Sequence, residues 1–221
     1  MFTESWPWKR ELLACAQRLR DAADASSWPD WPPGVESDDY GPEVEAIYTI
    51  ERDIMIGCFA LRRLLSMPYK VTQEIRKKTV SVTSYPIREG QQLPDAIDAL
   101  NAYGFYNLDQ PSDQNITTQQ MCNLFIHSHV LHFVWDLIRM SPQESLTIDE
   151  DDARVHGPVQ LTGFLVATDT SSKTHLTRVD LETLTRAFEE MGRDTVIGIS
   201  WRRDHRGRRR IHSVEGGLFK E

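Results

Sequence analysis

Residues 121–136 read "MCNLFIHSHVLHFVWD", and the fold turns on how far a helix runs through them. The stretch is mostly apolar and carries no proline or glycine. Helical spacing therefore predicts one long helix from Ile116 to about Met140, with Thr117 or Thr118 as N-cap and Gln120 or Met121 in the first turn. At about 100° per residue, Asn123, His127, Val130, Val134 and Ile138 share an apolar face, while His129, His132, Asp136 and Arg139 gather on the opposite side. Asn123 and His127 are then the sheltered polar groups, His132 and Asp136 the exposed ones. A polar group among Val130, Val134 and Ile138 needs a partner or a job. Two readings stay open at this point. The pair satisfies itself and fixes packing, or the imidazole works as a proton carrier, for which its ordinary pKa suits it. His129, His132 and Asp136 have ligand-compatible spacing on a helix, but no second cluster of Cys, His or carboxylate accompanies them. They are read as an exposed stripe, with no metal and no cofactor expected.

Outward from that stretch the pattern stays helical. Leu12, Leu13, Ala16 and Leu19 predict a helix over 6–26, interrupted by the Trp- and Pro-rich "SSWPDWPPGVESDDYGP" of 26–42, whose Trp28 and Trp31 are read as pins to the core. A second long helix runs from Pro42 to about Ser66 on the stripe Val44, Ile47, Ile50, Ile54, Cys58, Leu61 and Leu65, and Pro68 ends it. Arg52, Arg62 and Arg63 lie on its flanks. "TVSVTSYPI" (79–87) alternates as a strand does, Leu93 to Ala102 reads as a short helix closed by Gly104, and "NLDQPSDQN" is turn-rich. In the last third, "VQLTGFLVATD", "TSSK" and "THLTRV" form a hairpin signal. Asp180 opens a helix from Leu181 to about Met191 with Gly192 at its end, and "TVIGISW" and "RRIHSV" flank the turn "DHRG".

The expected fold class is α+β, a predominantly helical bundle with a small antiparallel β-sheet module at the C-terminal end. Its segments are an N-terminal helix and connection (1–34), a helical region (35–157) and a hairpin–helix–hairpin module packed on the same domain (158–221).

The chain has 221 residues, 40% of them hydrophobic, and a formal charge of -8. That is enough to bury a core, and too acidic for a protein that coats a polyanion with its whole surface. "MFTESWPWKR" lacks the basic start and apolar run of a secretory leader, and no segment approaches the ~20 apolar residues of a membrane span. A cytoplasmic location, with no membrane partner, is expected. Cys15, Cys58 and Cys122 are odd in number, widely spaced and set among apolar neighbours, which predicts reduced core thiols.

One basic patch stands out. "WRRDHRGRRRIHS" (201–213) holds six arginines. Strand alternation puts Arg208 and Arg210 on one face and Arg209 on the other, with Trp201 close enough to stack. Arg206, Arg208 and Arg210 are the candidate nucleic-acid contacts. The competing reading is an arginine-guarded edge strand, paired with the acidic "DEDD" of 149–152.

"CNLFIHS" (122–128), on a helix that follows another long amphipathic helix, resembles the signature region of HEPN domains, small helical bundles found in bacterial toxin and defence systems. The family pattern is an arginine, then four to six residues, then a histidine, often with Asn directly after the arginine. Asn123 and His127 match, whereas the arginine would stand at Gln120, Met121 or Cys122 and is absent. The likeness covers about residues 43–140. It implies metal-independent RNA cleavage with His127 moving a proton, an arginine stabilising the phosphate, and two protomers facing each other across the motif helix.

Without the motif arginine, either Arg62 or Arg63 supplies the charge from the neighbouring helix, or the site is a degenerate scaffold. The chain is also similar to uncharacterised bacterial proteins that combine an "ERD...F..R.L" helix (Glu51 to Leu64), a "CN..IHS" helix (Cys122 to Ser128) and a "G.LVA.D" hairpin (Gly163 to Asp169). Together these resemblances imply a homodimeric, RNA-associated or interaction component of a toxin- or defence-type system with a degenerate site. A HEPN-type endoribonuclease using His127 and a purely structural or partner-binding protein are the alternatives.

Overall fold

The decisive stretch is half helix and half strand. A computed structural model describes residues 4–23, 42–67, 69–90, 95, 97, 103–137 and 159–216. The elements are α1 (Trp6–Asp21), α2 (Pro42–Leu65), α3 (Gln73–Arg76), β1 (Thr79–Pro86), β2 (Ser112–Thr117), α4 (Thr118–Ile126) and β3 (Ser128–Leu137). They are followed by β4 (Val159–Thr168), a 3-10 turn (Ser171–Lys173), β5 (His175–Asp180), α5 (Leu181–Arg193), β6 (Val196–Arg203) and β7 (Arg209–Gly216).

The expectation of a predominantly helical bundle with a small C-terminal β module is wrong. Among the described residues the protein is mixed, 44% helix and 35% strand. Its main sheet has five antiparallel strands in the order β2-β1-β5-β4-β3, and a separate two-stranded sheet pairs β6 with β7. Three of the five strands come from the segment read as helical, and β4 and β5 complete the same sheet.

The physical reason lies in β3. Its Leu131, Phe133 and Trp135 pack into the core beneath the helices, while Val130 and Val134 join a smaller cluster on the opposite face with Tyr106, Leu165, Ala167 and Leu176. A strand apolar on both faces shows no polar alternation, so its residues also satisfy a helical period by coincidence. The excess of β-branched and aromatic residues in "HVLHFVW" is the signal that favours strand.

Connectivity sets where α4 stops. It carries the chain from one edge of the sheet, β2, to the other, β3. Four strand spacings measure about 19 Å, and a helix of 9 residues rises about 14 Å. A helix continued to Met140 would overshoot the edge. Its start matches expectation: Thr117 caps α4 through a reciprocal box, its hydroxyl accepting from Gln120 N–H (3.1 Å) and Gln120 Oε1 accepting from Thr117 N–H (2.8 Å).

Helices α1, α2, α4 and α5 cover one face of the sheet around Leu12, Leu19, Ile54, Leu61, Phe125, Phe164 and Phe188. Phe125 and Phe133 both meet the Phe164 ring edge-on, at 5.5 and 5.7 Å between centroids. A buried carboxylate lies in this layer. Asp53, 1% exposed, accepts Arg18 Nε and Nη2 at 2.8 and 2.9 Å, and Arg18 also holds Glu11. Those bonds hold the Arg18 guanidinium above its ordinary pKa, the bond to Asp53 first.

All three cysteines are buried free thiols, and burial pushes Cys15 up to about 12. Asp180 stands at the start of α5 but does not cap it; its carboxylate takes Arg178 Nε at 2.9 Å instead. Among the described residues no helix is long and apolar enough to cross a membrane. The expected helix over 93–102, apart from residues 95 and 97, and the loop tryptophans Trp28 and Trp31 and the "DEDD" run lie outside the described residues.

Candidate functional site

His127 is not where a continuous helix would put it. It forms the C-cap of α4, its N–H donating to Asn123 O at 3.1 Å, and its side chain is exposed, whereas His132 is half-buried. The expected order of exposure for these two histidines is therefore reversed, because the change from helix to strand at Ser128 resets the direction of every later side chain. Asn123 is half-buried, and its Oδ1 is buried with no hydrogen-bond partner among the described residues.

The neighbour that the sequence left open is present. Arg62 Nη1 lies 3.5 Å from His127 Nε2, at the outer limit of a hydrogen bond. A guanidinium only donates, so a hydrogen bond between the two requires Nε2 as the acceptor. Arg63 stands about 100° further around α2. Met121 and Cys122 are fully buried under α2, where a guanidinium would have no solvent, and only Gln120 is exposed.

The other histidines separate. His129 is the extra residue where the β3–β4 register shifts between Ser128 and Val130. His132 faces away from the helices and stacks on Tyr103, with ring centroids 4.9 Å apart. Asp136 accepts from Thr162 Oγ1 at 2.6 Å, and Arg178 Nη2 lies 3.7 Å from it. The i, i+3, i+7 metal geometry thus disappears with the helix that would have supplied it.

The arginine hairpin forms as the sequence predicts. Asp204 accepts the N–H groups of Arg206 and Arg208, each at 2.9 Å, and Gly207 takes φ +75° to close the turn. Those backbone bonds hold the Asp204 carboxyl below its ordinary range, the one from Arg208 first. Arg210 Nε is tied to Asp204 Oδ2 at 3.1 Å. Arg209 rather than Arg208 meets Trp201, its guanidinium 4.4 Å from the ring centroid. The side chains of Arg202, Arg206 and Arg208 are exposed and have no partner among the described residues. Residues 196–216 hold six arginines against two acids in a chain of formal charge -8. The hairpin is pinned at its base, where Gly216 comes so close to Thr72 that a Cβ would sit 2.7 Å from Thr72 Cγ2.

One grouping was missed. Lys9 lies on the buried stripe of α1, three residues before Leu12 and seven before Ala16, and only 6% of it is exposed. Its ammonium donates to the main-chain oxygen of Asp194 and sits 3.9 Å from the Asp194 carboxylate, which already accepts Thr72 N–H (2.9 Å) and Thr72 Oγ1–H (2.7 Å). Burial lowers its pKa, opposed by Asp194 and aided by Lys70. A lysine in phase with Leu12 and Ala16 was the available signal.

Comparisons with protein-family models, with curated proteins and with solved structures find no match to this chain.

Proposed function

We propose that the protein binds single-stranded RNA through the β6–β7 hairpin. One observation carries this reading: three exposed arginines without partners among the described residues, beside an exposed Trp201 whose ring already holds Arg209, on a hairpin that pairs apart from the main sheet. Cations follow the phosphates, and an aromatic face accepts any base. An arginine set serving only to guard an edge would not need Trp201 open to solvent, since charge alone deters strand pairing. The test is an anisotropy titration with labelled oligouridylate at several salt concentrations. Changing Arg202, Arg206 and Arg208 to Ser is expected to flatten the log–log salt slope by about two, at ~0.7 per lost single-strand contact. An unchanged affinity and slope assigns the arginines to edge protection.

A second reading, a HEPN-type ribonuclease, is favoured by the 3.5 Å approach of Arg62 to His127. His127 would take the proton of a ribose 2'-hydroxyl as its oxygen attacks the adjacent phosphorus, releasing the 5'-oxygen, and Arg62 would face the charge that develops on the phosphoryl oxygens. His127→Ala is expected to abolish cleavage and Arg62→Ala to lower it by ~10²-fold, with His132→Ala near wild type. RNA left uncut by the wild type, in both folded and single-stranded form, ends this reading and leaves binding at the hairpin standing.

A further inference from the structure

We propose that the cleft between the start of α1 and the base of the β6–β7 hairpin binds a small anion carried on a flat apolar body, with Lys9 and Lys70 holding the charge. The cleft encloses about 1080 Å³ and is lined by Trp6, Lys9, Leu13, Tyr69, Lys70 and Ile199, among others. That volume is at the upper end of small-ligand sites, and the mixture of apolar walls with few polar groups is typical of them.

Charge selects the ligand's sign. Lys9 and Lys70 line the same cleft, and Lys70 disfavours the charge on Lys9. The one acid beside them, Asp194, has both carboxylate oxygens engaged by Thr72. Lys70 has no carboxylate in salt-bridge range among the described residues; its ammonium lies 5.4 Å from the centroid of the Tyr69 ring. The third cation of the lining, Arg193, is paired with Glu189. With Asp194 paired to Lys9 and Glu189 to Arg193, the positive charge left without a carboxylate among the described residues is that of Lys70, with Lys9 on the same lining. An anion placed between them would relieve the repulsion, as charge pairing at a half-buried site does.

The walls select the body. Trp6 and Tyr69 supply two aromatic faces, and Leu13, Val196 and Ile199 supply aliphatic surface. Trp6 is 62% exposed, Tyr69 38% and Ile199 46%, so an apolar ligand would cover surface that water now wets. The site is separate from the exposed arginines of the hairpin, and its existence does not depend on RNA binding there.

The probe is 8-anilinonaphthalene-1-sulfonate, and its control is N-phenyl-1-naphthylamine, the same aromatic frame without the anion. The folded wild type is expected to bind one sulfonate probe per chain, about tenfold more tightly than the neutral frame. Lys70→Met, a change at a half-buried side chain without a carboxylate partner among the described residues, should remove about that tenfold preference while thermal unfolding stays near the wild-type temperature. Lys9→Met should do the same, and Lys70→Met decides the matter if the buried change weakens the fold. Equal binding of charged and neutral frames, or unchanged sulfonate affinity in Lys70→Met, overturns the proposal. Displacement of the probe by oligouridylate overturns the separateness of the site.

Discussion

The helix-covered sheet and the β6–β7 hairpin use apolar residues in opposite ways. In the body, Phe125, Phe164 and Phe188 are fully buried and touch each other or the glycine backbone, with Gly57 so close to Phe188 that a Cβ would meet the ring at 2.2 Å. In the hairpin, Ile197, Ile199 and Trp201 are all exposed and Val214 is the buried hydrophobic. A two-stranded sheet is marginal by itself in water, so the hairpin depends on its anchor at Thr72 and on its turn. Stability is concentrated in one region, and open chemical surface in the other.

The largest expected effect follows from that contrast. Phe164→Ala removes the ring against which both Phe125 and Phe133 stand, and should cost about 4 kcal/mol of unfolding free energy in a urea titration. Trp201→Ala should stay within about 0.5 kcal/mol of wild type. A comparable loss in both would show the hairpin to be part of the core and would break the comparison.

The buried ion pair gives the next effect. Arg18→Ala leaves Asp53 with only the longer contact to Arg52 at 3.4 Å, and removing one partner of a buried pair should cost roughly 3 kcal/mol. Replacing both Arg18 and Asp53 by apolar residues should restore much of that loss, because the uncompensated charge is then gone. A double variant no better than the single one would place the cost in lost packing of the arginine stem.

The same contrast explains what the sequence disclosed. Elements with one wet face were legible: α1, α2, β1, α5 and the arginine hairpin stand near their expected bounds, and the β4–β5 hairpin, although covered on both faces, was legible from the turn between its strands. Gly192 is an exception in detail, lying inside α5 with Leu13 packed against it instead of ending the helix. The failure came at β3, which is covered on both faces, so that periodicity carried no information about its conformation. That error moved His127 from a sheltered face to an exposed cap and dissolved the His129–His132–Asp136 set. Arg62 beside His127 was among the sequence candidates because α2 was phased correctly. Lys9 escaped notice because a charged residue in the first turns of a helix usually reaches water, and only the packing of α5 and the loop at Thr72 closes over it.

A smaller effect probes the boundary between the two regions, at Lys9. Its folded pKa lies below the ordinary value of 10.5. Between the two values the unfolded chain binds the proton and the folded chain does not, so stability should rise with pH across that window. The slope from one group cannot exceed about 1.4 kcal/mol per pH unit. Lys9→Met should remove this contribution, read as a flatter dependence of urea midpoints on pH above neutrality than in wild type. Asp194 and Lys70, the charged groups that face Lys9, remain in both proteins, so the difference isolates the lysine. Parallel pH profiles would show that Lys9 keeps its proton through the window.

The smallest expected effect sharpens the hairpin's side of the comparison. Asp204 organises the turn by accepting two backbone N–H groups, and it also draws Arg210 onto itself. Its carboxyl is held low, so its contribution to turn order is present above the unfolded carboxylate range and is lost as pH falls through the folded value. Protection factors at the Arg206 and Arg208 amides should therefore fall at acid pH while the main-sheet amides stay protected. Asp204→Asn keeps an acceptor oxygen for the turn, removes the charge and releases Arg210. If the hairpin binds RNA, this variant should bind oligouridylate a few-fold more tightly and with a steeper salt slope, since one more arginine becomes available to phosphate. If the arginines serve as edge guards, the substitution changes nothing in that titration, and the loss of the acid-dependent fall in protection at the turn is its one trace.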